Sequence, residues 1–349
     1  MKLPLNPLPK SFVLGKPQQP KDTDSTRADI ATRKRDGYKT YAVITKRGAT
    51  LYTSGCNKID GRLAHIAQEL KSYNLRVPAL LIGECVASEA GKPDDLHCVQ
   101  AVMKADKEKA IALQEQHGKL HLMVFGVVLL GGKDVTNVPY IEMLGMIYGI
   151  LYKNRDRAKY IFPAELIALS SDGLDGVISG IGKKLPGCLE YSFSATVATT
   201  TLEAAKRKVI ENDWEGLVLC DKDFKNTFRL DGKEPQRPRG CRKWKPIAED
   251  DFIVEEWTPD ENNKRRVKEL ILLQIDPVTK EKIECGKFGH LSEERRKQLA
   301  KERYPIVVQI RFGVRYPSGK LRDMQELLRI RDDKKPSECF APQSYASQK

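Results

Sequence analysis

The chain has 349 residues, of which 40% are hydrophobic and 31% are charged, a composition that excludes a disordered or fibrous protein. Its length exceeds what one hydrophobic core usually organises, so two domains are expected. The net charge of +13 and the pI near 9.2 favour a polyanionic partner, either nucleic acid or an anionic membrane surface.

The eight cysteines are scattered along the chain and form no CxxC pair. This spacing argues against a structural zinc site and predicts reduced thiols in a cytoplasmic setting. The longest apolar stretch, Leu122 to Leu130, is far shorter than the roughly 20 residues that a membrane helix requires. We therefore expect a soluble protein without a targeting segment and without membrane association.

In chain order, residues 1–28 are rich in Pro, Lys and Asp and predict an extended, loosely held arm. Alternating residues from Tyr38 to Tyr52 predict two strands joined by a turn at Lys46-Arg47-Gly48. Apolar spacing then predicts helices at Gly61–Tyr73, Ala101–Glu115, Pro139–Leu151 and Thr200–Glu211. Strands are expected at Ala79–Ala87, His121–Leu130, Leu217–Cys220 and Arg242–Pro246.

An acidic break at Glu249-Asp250-Asp251 predicts a domain boundary. Beyond it, strands are expected at Phe252–Trp257, Glu269–Ile275 and Ile306–Phe312, with one helix around Ser292–Arg303. Several short strands within about 100 residues predict a small β-barrel.

Lys34, in the run Ala31-Thr32-Arg33-Lys34-Arg35-Asp36-Gly37-Tyr38-Lys39, is the most informative residue of the sequence. A lysine attacks a phosphate only when its amine is unprotonated, and at an ordinary pKa of about 10.4 roughly one lysine in a thousand is neutral at pH 7.4. A reactive Lys34 therefore needs nearby cations and desolvation. The candidate cations are Arg33, Arg35, Lys39, Lys243 and Lys245. Taken alone, Lys34 is equally a solvated lysine in a basic turn.

Asp36-Gly37 predicts a tight turn in which the glycine lets the backbone approach a ligand closely. Asp36 either contacts ribose hydroxyls, orients the lysine or serves as a turn residue. Glu84 and Glu215 are carboxylates inside apolar runs, where each needs a cation, a metal or solvent. Two such carboxylates beside a triphosphate suit Mg²⁺. The alternative is that both are edge-strand glutamates.

Lys243 and Lys245 are two residues apart, so a strand places both side chains on one face, where a polyanion would relieve their repulsion. Phe125 either stacks on a purine or packs in a core. A C-terminal basic cluster suits phosphate contacts or nonspecific binding of nucleic acid; it comprises Arg322, Arg329, Arg331, Lys334 and Lys335.

In order and spacing, these segments resemble those of the ATP-dependent DNA ligases, the compact phage-like members of the covalent nucleotidyltransferase superfamily. The run Arg329-Ile330-Arg331-Asp332-Asp333-Lys334-Lys335-Pro336-Ser337 is the most ligase-like segment. The resemblance implies an α+β protein with two domains. An adenylation domain of the nucleotidyltransferase (ATP-grasp-like) type with antiparallel sheets, residues 1–246, would precede a C-terminal OB-fold β-barrel, residues 247–349.

By the same resemblance, Lys34 would be the catalytic nucleophile that becomes adenylated, and Glu84 and Glu215 would bind the metal and the nucleotide. Phe125 would stack on adenine. The other residues that the resemblance assigns to ATP are Thr32, Asp36, Gly37, Lys39, Lys243, Lys245, Arg329, Arg331 and Lys334. ATP and Mg²⁺ are the implied cofactors, and nicked double-stranded DNA is the implied partner of a monomeric enzyme. Its setting would be the cytoplasm of a bacterium or of an infected host cell, in DNA replication, repair or recombination.

The sequence departs from the family pattern at four positions. Thr32 stands where many members have a glutamate that helps to read adenine, and Lys39 replaces an arginine, which keeps the charge but loses the fork. Gly55 stands where the arginine of a Ser-Arg pair is common, and Ile82 replaces the aspartate before Gly83-Glu84. Two alternative functions remain. The first is an mRNA-capping guanylyltransferase or RNA ligase with the same lysine chemistry, and the second is a non-catalytic nucleic-acid-binding protein.

Overall fold

The computed structural model describes residues 7–18, 28–59, 61–87, 94–169, 177–178, 195–196, 199–237, 240–315 and 318–342. The chain divides into two compact units, Met1–Trp244 and Lys245–Lys349. This division lies close to the boundary that the sequence predicts after residue 246.

The described residues of the first unit contain five helices: α1 Ala64–Ser72, α2 Leu96–Lys104, α3 Lys107–His117, α4 Tyr140–Lys153 and α5 Leu202–Glu211. A 3-10 turn follows α4 at Arg155–Arg157. Its strands begin with β1 Val13–Leu14, β2 Ile30–Lys34, β3 Tyr38–Thr45, β4 Gly48–Thr53, β5 Ala79–Val86, β6 His121–Leu130, β7 Lys133–Asp134 and β8 Ile161–Pro163. The remaining strands are β9 Leu166–Leu169, β10 Val177–Ile178, β11 Ala195–Thr196, β12 Thr199–Thr200, β13 Gly216–Cys220, β14 Phe228–Arg229 and β15 Cys241–Trp244.

Two mainly antiparallel sheets organise the first unit. The first sheet has the strand order β12-β9-β2-β13-β15, and the second has the order β4-β3-β5-β6-β7 with β8 added on β6. The β9–β12 and β6–β8 pairs are parallel, and the other pairs within these two sheets are antiparallel. The expected α+β class with antiparallel sheets is confirmed.

The alternation of side chains along β2 gives the first sheet two different faces. Ala31 lies on the face covered by α5 and packs with Leu217, Leu219 and Trp244. Thr32 and Lys34 point to the opposite face. This alternation therefore fixes which side of the first sheet carries Lys34.

The second sheet buries one face under helices α1 to α4. Leu81 of β5 and Val124 of β6 share a core with Ile66 of α1, Val102 of α2 and Ile147 of α4, and all five are at most 1% exposed. The apolar runs that predict these two strands are long because both strands lie inside the sheet. Their other face looks away from the helices.

The expectation of a loosely held N-terminal arm is wrong for residues 7–18. Strand β1 pairs with β14, and Leu8, Phe12 and Leu14 are buried. Phe12 packs against Tyr41 with the ring centroids 5.2 Å apart. Local composition indicates an arm, but these apolar side chains find partners far along the chain.

The structure has two helices where the sequence predicts one. Instead of a single helix at Ala101–Glu115, α2 ends at Lys104 and α3 begins at Lys107, with Asp106 accepting a hydrogen bond from the backbone N–H of Lys109. The N-capping aspartate starts a new helix there. The other predicted helices form with small shifts of their ends.

The second unit is an antiparallel sheet with one helix, α6 Glu293–Leu299. Its strands are β16 Ala248–Val254, β17 Trp257–Pro259, β18 Val267–Ile275, β19 Lys282–Phe288, β20 Ile306–Phe312, β21 Val314–Arg315, β22 Leu321–Arg322 and β23 Glu326–Ile330. A 3-10 turn lies at Pro336–Glu338. The main sheet has six strands: β16 pairs with β18 and β20, β18 also pairs with β17 and β19, and β20 pairs with β23. This pairing is OB-like, but the described strands do not form the closed barrel that the sequence predicts.

The second unit has its own core, which includes Phe252, Leu272, Phe288 and Val308, each fully buried. Within the described ranges, no helix is both long enough and apolar enough to cross a bilayer.

Candidate active site

A cavity of about 560 Å³ lies in the first unit. Thr32, Lys34, Val218 and Lys243 of the first sheet line it, and so do Lys39, Glu84, Met123 and Phe125 of the second sheet. On the first sheet, Thr32 lies opposite Val218, which lies opposite Lys243. On the second sheet, Lys39 lies opposite Glu84, which lies opposite Met123. Strand register thus brings together residues that are far apart in the sequence.

The side chain of Lys34 meets a carboxylate in this cavity. Lys34 lies opposite Gly216 across the β2–β13 pair, and its Nζ donates a hydrogen bond to Oε2 of the preceding residue, Glu215. The Lys34 side chain is 16% exposed and that of Glu215 is 4% exposed. A largely desolvated amine therefore has a proton acceptor in direct contact.

The two arginines that flank Lys34 are compensated by carboxylates. Both Nη atoms of Arg35 donate 2.8 Å hydrogen bonds, one to Asp94 and the other to Glu165. Arg33 reaches the same two carboxylates at 3.6 and 3.7 Å. Arg33 and Arg35, two of the cations that the sequence offers as neighbours of Lys34, line the cavity with it, and carboxylates balance their charges.

Asp94 also fixes the turn that follows the lysine. Its Oδ2 accepts a 2.9 Å hydrogen bond from the backbone N–H of Asp36, and its side chain is only 2% exposed. Sequence reasoning missed Asp94. The available signal was the pair of arginines beside Lys34, because buried guanidinium groups need carboxylate partners.

Gly37 permits close packing of this turn against β5. A Cβ atom at Gly37 would lie 2.2 Å from the carbonyl oxygen of Cys85 and 2.9 Å from Cγ of Glu84. Any side chain would therefore push the turn away from β5. The glycine keeps Asp36 close to Glu84, whose pKa the Asp36 charge helps to raise.

Burial shifts the ionisation of the Lys39–Glu84 pair. Desolvation raises the pKa of Glu84 to about 8, while Lys34 and Lys39 oppose the rise and Glu215 adds to it. Desolvation also lowers the pKa of Lys39 to about 8, opposed by Glu84 and aided by Lys243 and Lys16. These groups share one electrostatic environment.

Glu84 and Glu215 are the two carboxylates that the sequence assigns to a metal. Glu215 is buried and Glu84 is partly buried, and the charge of Glu215 helps to raise the pKa of Glu84. Carboxylate oxygens are the hard ligands that Mg²⁺ prefers. Mg²⁺ typically binds one or two carboxylates together with phosphate oxygens and water. The described residues contain no group of three or more His, Cys, Asp or Glu side chains placed to hold a metal, so these two carboxylates would supply only part of the coordination of Mg²⁺.

The aromatic and uncharged lining forms a different part of the cavity wall. Phe125 is partly buried and lines the cavity together with Thr32 and Tyr140. Tyr140 shares a side-chain hydrogen bond with Thr32, and burial raises the pKa of this phenol well above its ordinary value. Sequence reasoning missed Tyr140, because nothing in its helix distinguishes it from a core residue.

Lys243 and Lys245 do not share a strand face. β15 ends at Trp244, so the period-two argument stops before Lys245, which belongs to the second unit. Lys243 lines the cavity. Lys245 donates a 2.5 Å hydrogen bond to Asp323 within the second unit. The prediction that Lys243 and Lys245 lie on the same face of one strand is wrong.

Arg331 and Lys334 of the C-terminal basic cluster are ion-paired within the second unit. Arg331 and Lys334 both bind the carboxylate of Asp251, at 3.0 and 2.9 Å. Arg331 also binds Asp333 at 2.8 Å, and Nε of Arg329 donates a 3.0 Å hydrogen bond to Gln309. Asp251 is thus a third residue, after Asp94 and Tyr140, to which sequence reasoning gave no role in binding; the sequence identified it only as part of the acidic break.

Comparison with solved structures agrees with this architecture. One structure, from work on Lig E DNA ligases that bind DNA with a minimal scaffold, is 17% identical with a TM-score of 0.57, covering 91% of this chain and 99% of that one. Another, named Pmar-Lig_Pre, is 15% identical with a TM-score of 0.59, covering 89% of this chain but only 65% of that longer one. No protein-family model and no curated protein matches the sequence.

At these identities the likeness establishes the fold. The chain shares the fold of these solved structures, with antiparallel sheets of the nucleotidyltransferase type in its first unit and OB-like strand pairing in its second.

Proposed function

We propose that the protein is an ATP-dependent DNA ligase that seals nicks in duplex DNA through a lysyl-AMP intermediate. The observation that carries this proposal is the contact between the Lys34 amine and the Glu215 carboxylate, in a cavity that Lys39, Lys243 and Glu84 also line. An amine that can give up a proton, surrounded by cations, is what attack on a nucleotide phosphate requires.

In the first step, Nζ of Lys34 attacks the α-phosphorus of ATP. A P–N bond forms, the P–O bond to the β-phosphate breaks, and pyrophosphate leaves. Glu215 takes the proton that the amine loses, because its Oε2 is already the acceptor of the Lys34 hydrogen bond. Lys39 and Lys243 stabilise the charge that develops on the phosphate oxygens.

In the second step, an oxygen of a DNA 5′-phosphate attacks the same phosphorus, and the P–N bond breaks to release Lys34. In the third step, the 3′-hydroxyl at the nick attacks the 5′-phosphate and displaces AMP. Both steps transfer a phosphoryl or nucleotidyl group, so positioning and electrostatic stabilisation supply most of the rate enhancement.

The remaining cavity residues bind the nucleotide in this proposal. Phe125 stacks on the purine, and Thr32 lies beside the purine. Asp36 contacts the ribose, and Gly37 lets the backbone of the turn approach the nucleotide. Glu84 and Glu215 would hold Mg²⁺, which would neutralise phosphate charge. From the second unit, Lys245, Arg329, Arg331 and Lys334 contact phosphates, which requires Arg331 and Lys334 to exchange Asp251 for the nucleotide.

Nicked double-stranded DNA is the proposed partner of a monomeric enzyme in the cytoplasm of a bacterium or of an infected host cell. The net charge of +13 favours binding through the phosphate backbone. Such binding is weakly dependent on base sequence and falls steeply with salt concentration.

The test is incubation with labelled ATP or GTP, followed by an assay for sealing of nicked DNA. The proposal predicts a covalent AMP adduct and sealed product. A GMP adduct without an AMP adduct indicates a capping guanylyltransferase. Sealing of RNA but not of DNA indicates an RNA ligase, and no adduct with either nucleotide indicates a non-catalytic binding protein.

A further inference from the structure

The N-terminal segment forms part of the cavity wall. Residues 13–17 line the cavity, although they lie far in sequence from the other lining residues. We call residues 13–18 the N-terminal strap. The backbone N–H of Gly15 donates to Thr227, that of Gln18 donates to Cys241, and that of Lys243 donates to Gln18, at 2.8 to 2.9 Å. The strap is therefore fastened to β14 and β15 along its length.

Lys16 is the charged residue of this strap. Its side chain is 54% exposed and forms an ion pair with Glu234, with Nζ and Oε2 3.3 Å apart. The Glu234 side chain is itself 43% exposed. An ion pair this exposed contributes little free energy, so the amine can exchange Glu234 for a stronger anion at small cost. Its long stem also gives the amine reach.

Lys16 adds to a concentration of positive charge. Lys34, Lys39 and Lys243 line the same cavity, and the charge of Lys16 is close enough to help lower the pKa of Lys39. Several ammonium groups that face one space repel each other until a polyanion enters. The backbone of the strap is held in place, whereas the long Lys16 side chain can turn toward such an anion and bind it.

We propose that Lys16 is a phosphate-binding residue of the active site, which leaves Glu234 and binds a phosphate of the substrate. The inference rests on the proposed function. Two phosphates share this chemistry, the β/γ-phosphates of ATP and the 5′-phosphate at the nick. Each is bound in a separate step, so kinetics can distinguish them.

The experiment compares wild-type protein with Lys16→Ala and Lys16→Arg in two assays. The first measures AMP labelling as a function of ATP concentration, and the second measures transfer of AMP from pre-labelled protein to a nick with a 5′-phosphate. Loss of one charge-assisted contact should raise the half-saturating ATP concentration, or lower the transfer rate, roughly tenfold. The affected assay identifies the phosphate, and Lys16→Arg should restore most of the loss.

Lys10→Ala is the matched control, because Lys10 is an exposed lysine of the same segment that does not line the cavity. It should behave as wild type in both assays. Equal labelling and equal transfer by Lys16→Ala and Lys10→Ala would overturn the inference, as would an equal loss in both variants, which would indicate a general effect of charge.

Calorimetric titration with inorganic pyrophosphate separates this inference from the proposed function. If the wild type forms no AMP adduct, the ligase proposal fails. Pyrophosphate binding that Lys16→Ala weakens and Lys10→Ala does not would still support the anion site. Wild-type protein that forms the adduct but shows no role for Lys16 in any of the three measurements leaves the ligase proposal standing and ends the inference.

Discussion

Lys39 on β3 and Glu84 on β5 are direct cross-strand partners, and burial moves their pKa values from opposite directions to about 8. Glu84 binds its proton more tightly in the folded state than in the unfolded chain. Its contribution to stability is therefore present below pH 4.5 and is lost as the pH rises to about 8. The contribution of Lys39 is present above pH 10.5 and is lost as the pH falls to about 8.

The first prediction concerns this dependence on pH. Replacing Glu84 by Gln removes the proton that the folded state holds, so the free energy of unfolding of the variant relative to wild type should increase from pH 5 to pH 8. The increase should be on the order of a few kcal/mol, since each pKa unit corresponds to about 1.4 kcal/mol. Urea unfolding at a series of pH values measures it. Glu211→Gln, at an exposed helical position, is the control, and curves that run parallel for Glu84→Gln and wild type would refute the prediction.

The second prediction concerns the turn after Lys34. Gly37→Ala should lower the free energy of unfolding by about 1–3 kcal/mol, because the new Cβ meets the Cys85 carbonyl oxygen at 2.2 Å. Gly55→Ala is the matched control, since the nearest atom to a Cβ there is 3.6 Å away. Thermal unfolding measures both variants, and equal stability of the two would show that the turn has room for a side chain.

The third prediction concerns Asp94 as a positioning residue. Asp94→Asn leaves Arg33 and Arg35 with one carboxylate fewer, so stability should fall by about 3 kcal/mol. The turn that carries Asp36 should also loosen, which slows AMP labelling at saturating ATP more than it raises the half-saturating concentration. Asp95→Asn is the control, because asparagine also caps helices well. A labelling rate equal to that of the control would show that Asp94 is not a positioning residue.

The fourth prediction concerns the proton acceptor. Glu215→Gln keeps the shape of the side chain but removes the carboxylate that contacts Lys34, so AMP labelling should slow by about 10²-fold or more. Binding of nicked DNA should change little. Glu203→Gln, with a side chain that is 71% exposed, is the control. Labelling at the wild-type rate in Glu215→Gln would show that another group takes the proton.

The sequence locates the residues that lie on regular strands. Lys34, Glu84 and Lys243 line the cavity, because alternation along their strands turns them to the same face as their cross-strand neighbours. Phe125 also lines the cavity, but it lies at a bulge between β5 and β6 where regular alternation is interrupted. The α+β fold class is predicted from the resemblance to the ligase family, and the structure confirms it.

Local patterns fail where long-range contacts decide the structure. The strap that carries Lys16 looks like a free arm because its partners, β14 and β15, lie over 200 residues away. Asp94 follows a polar segment with no strand or helix pattern of its own. The prediction that Lys245 shares a strand face with Lys243 fails for a different reason. Residues two apart lie on a common face only while the strand continues, and β15 ends at Trp244.

The most direct measurement is mass spectrometry of the protein after incubation with ATP and magnesium, with peptide mapping of the product. The account predicts one AMP per chain, attached to Nζ of Lys34, and no adduct in Lys34→Ala, which should still bind DNA. AMP on another residue, undiminished labelling of Lys34→Ala, or no adduct on the wild-type protein would contradict it.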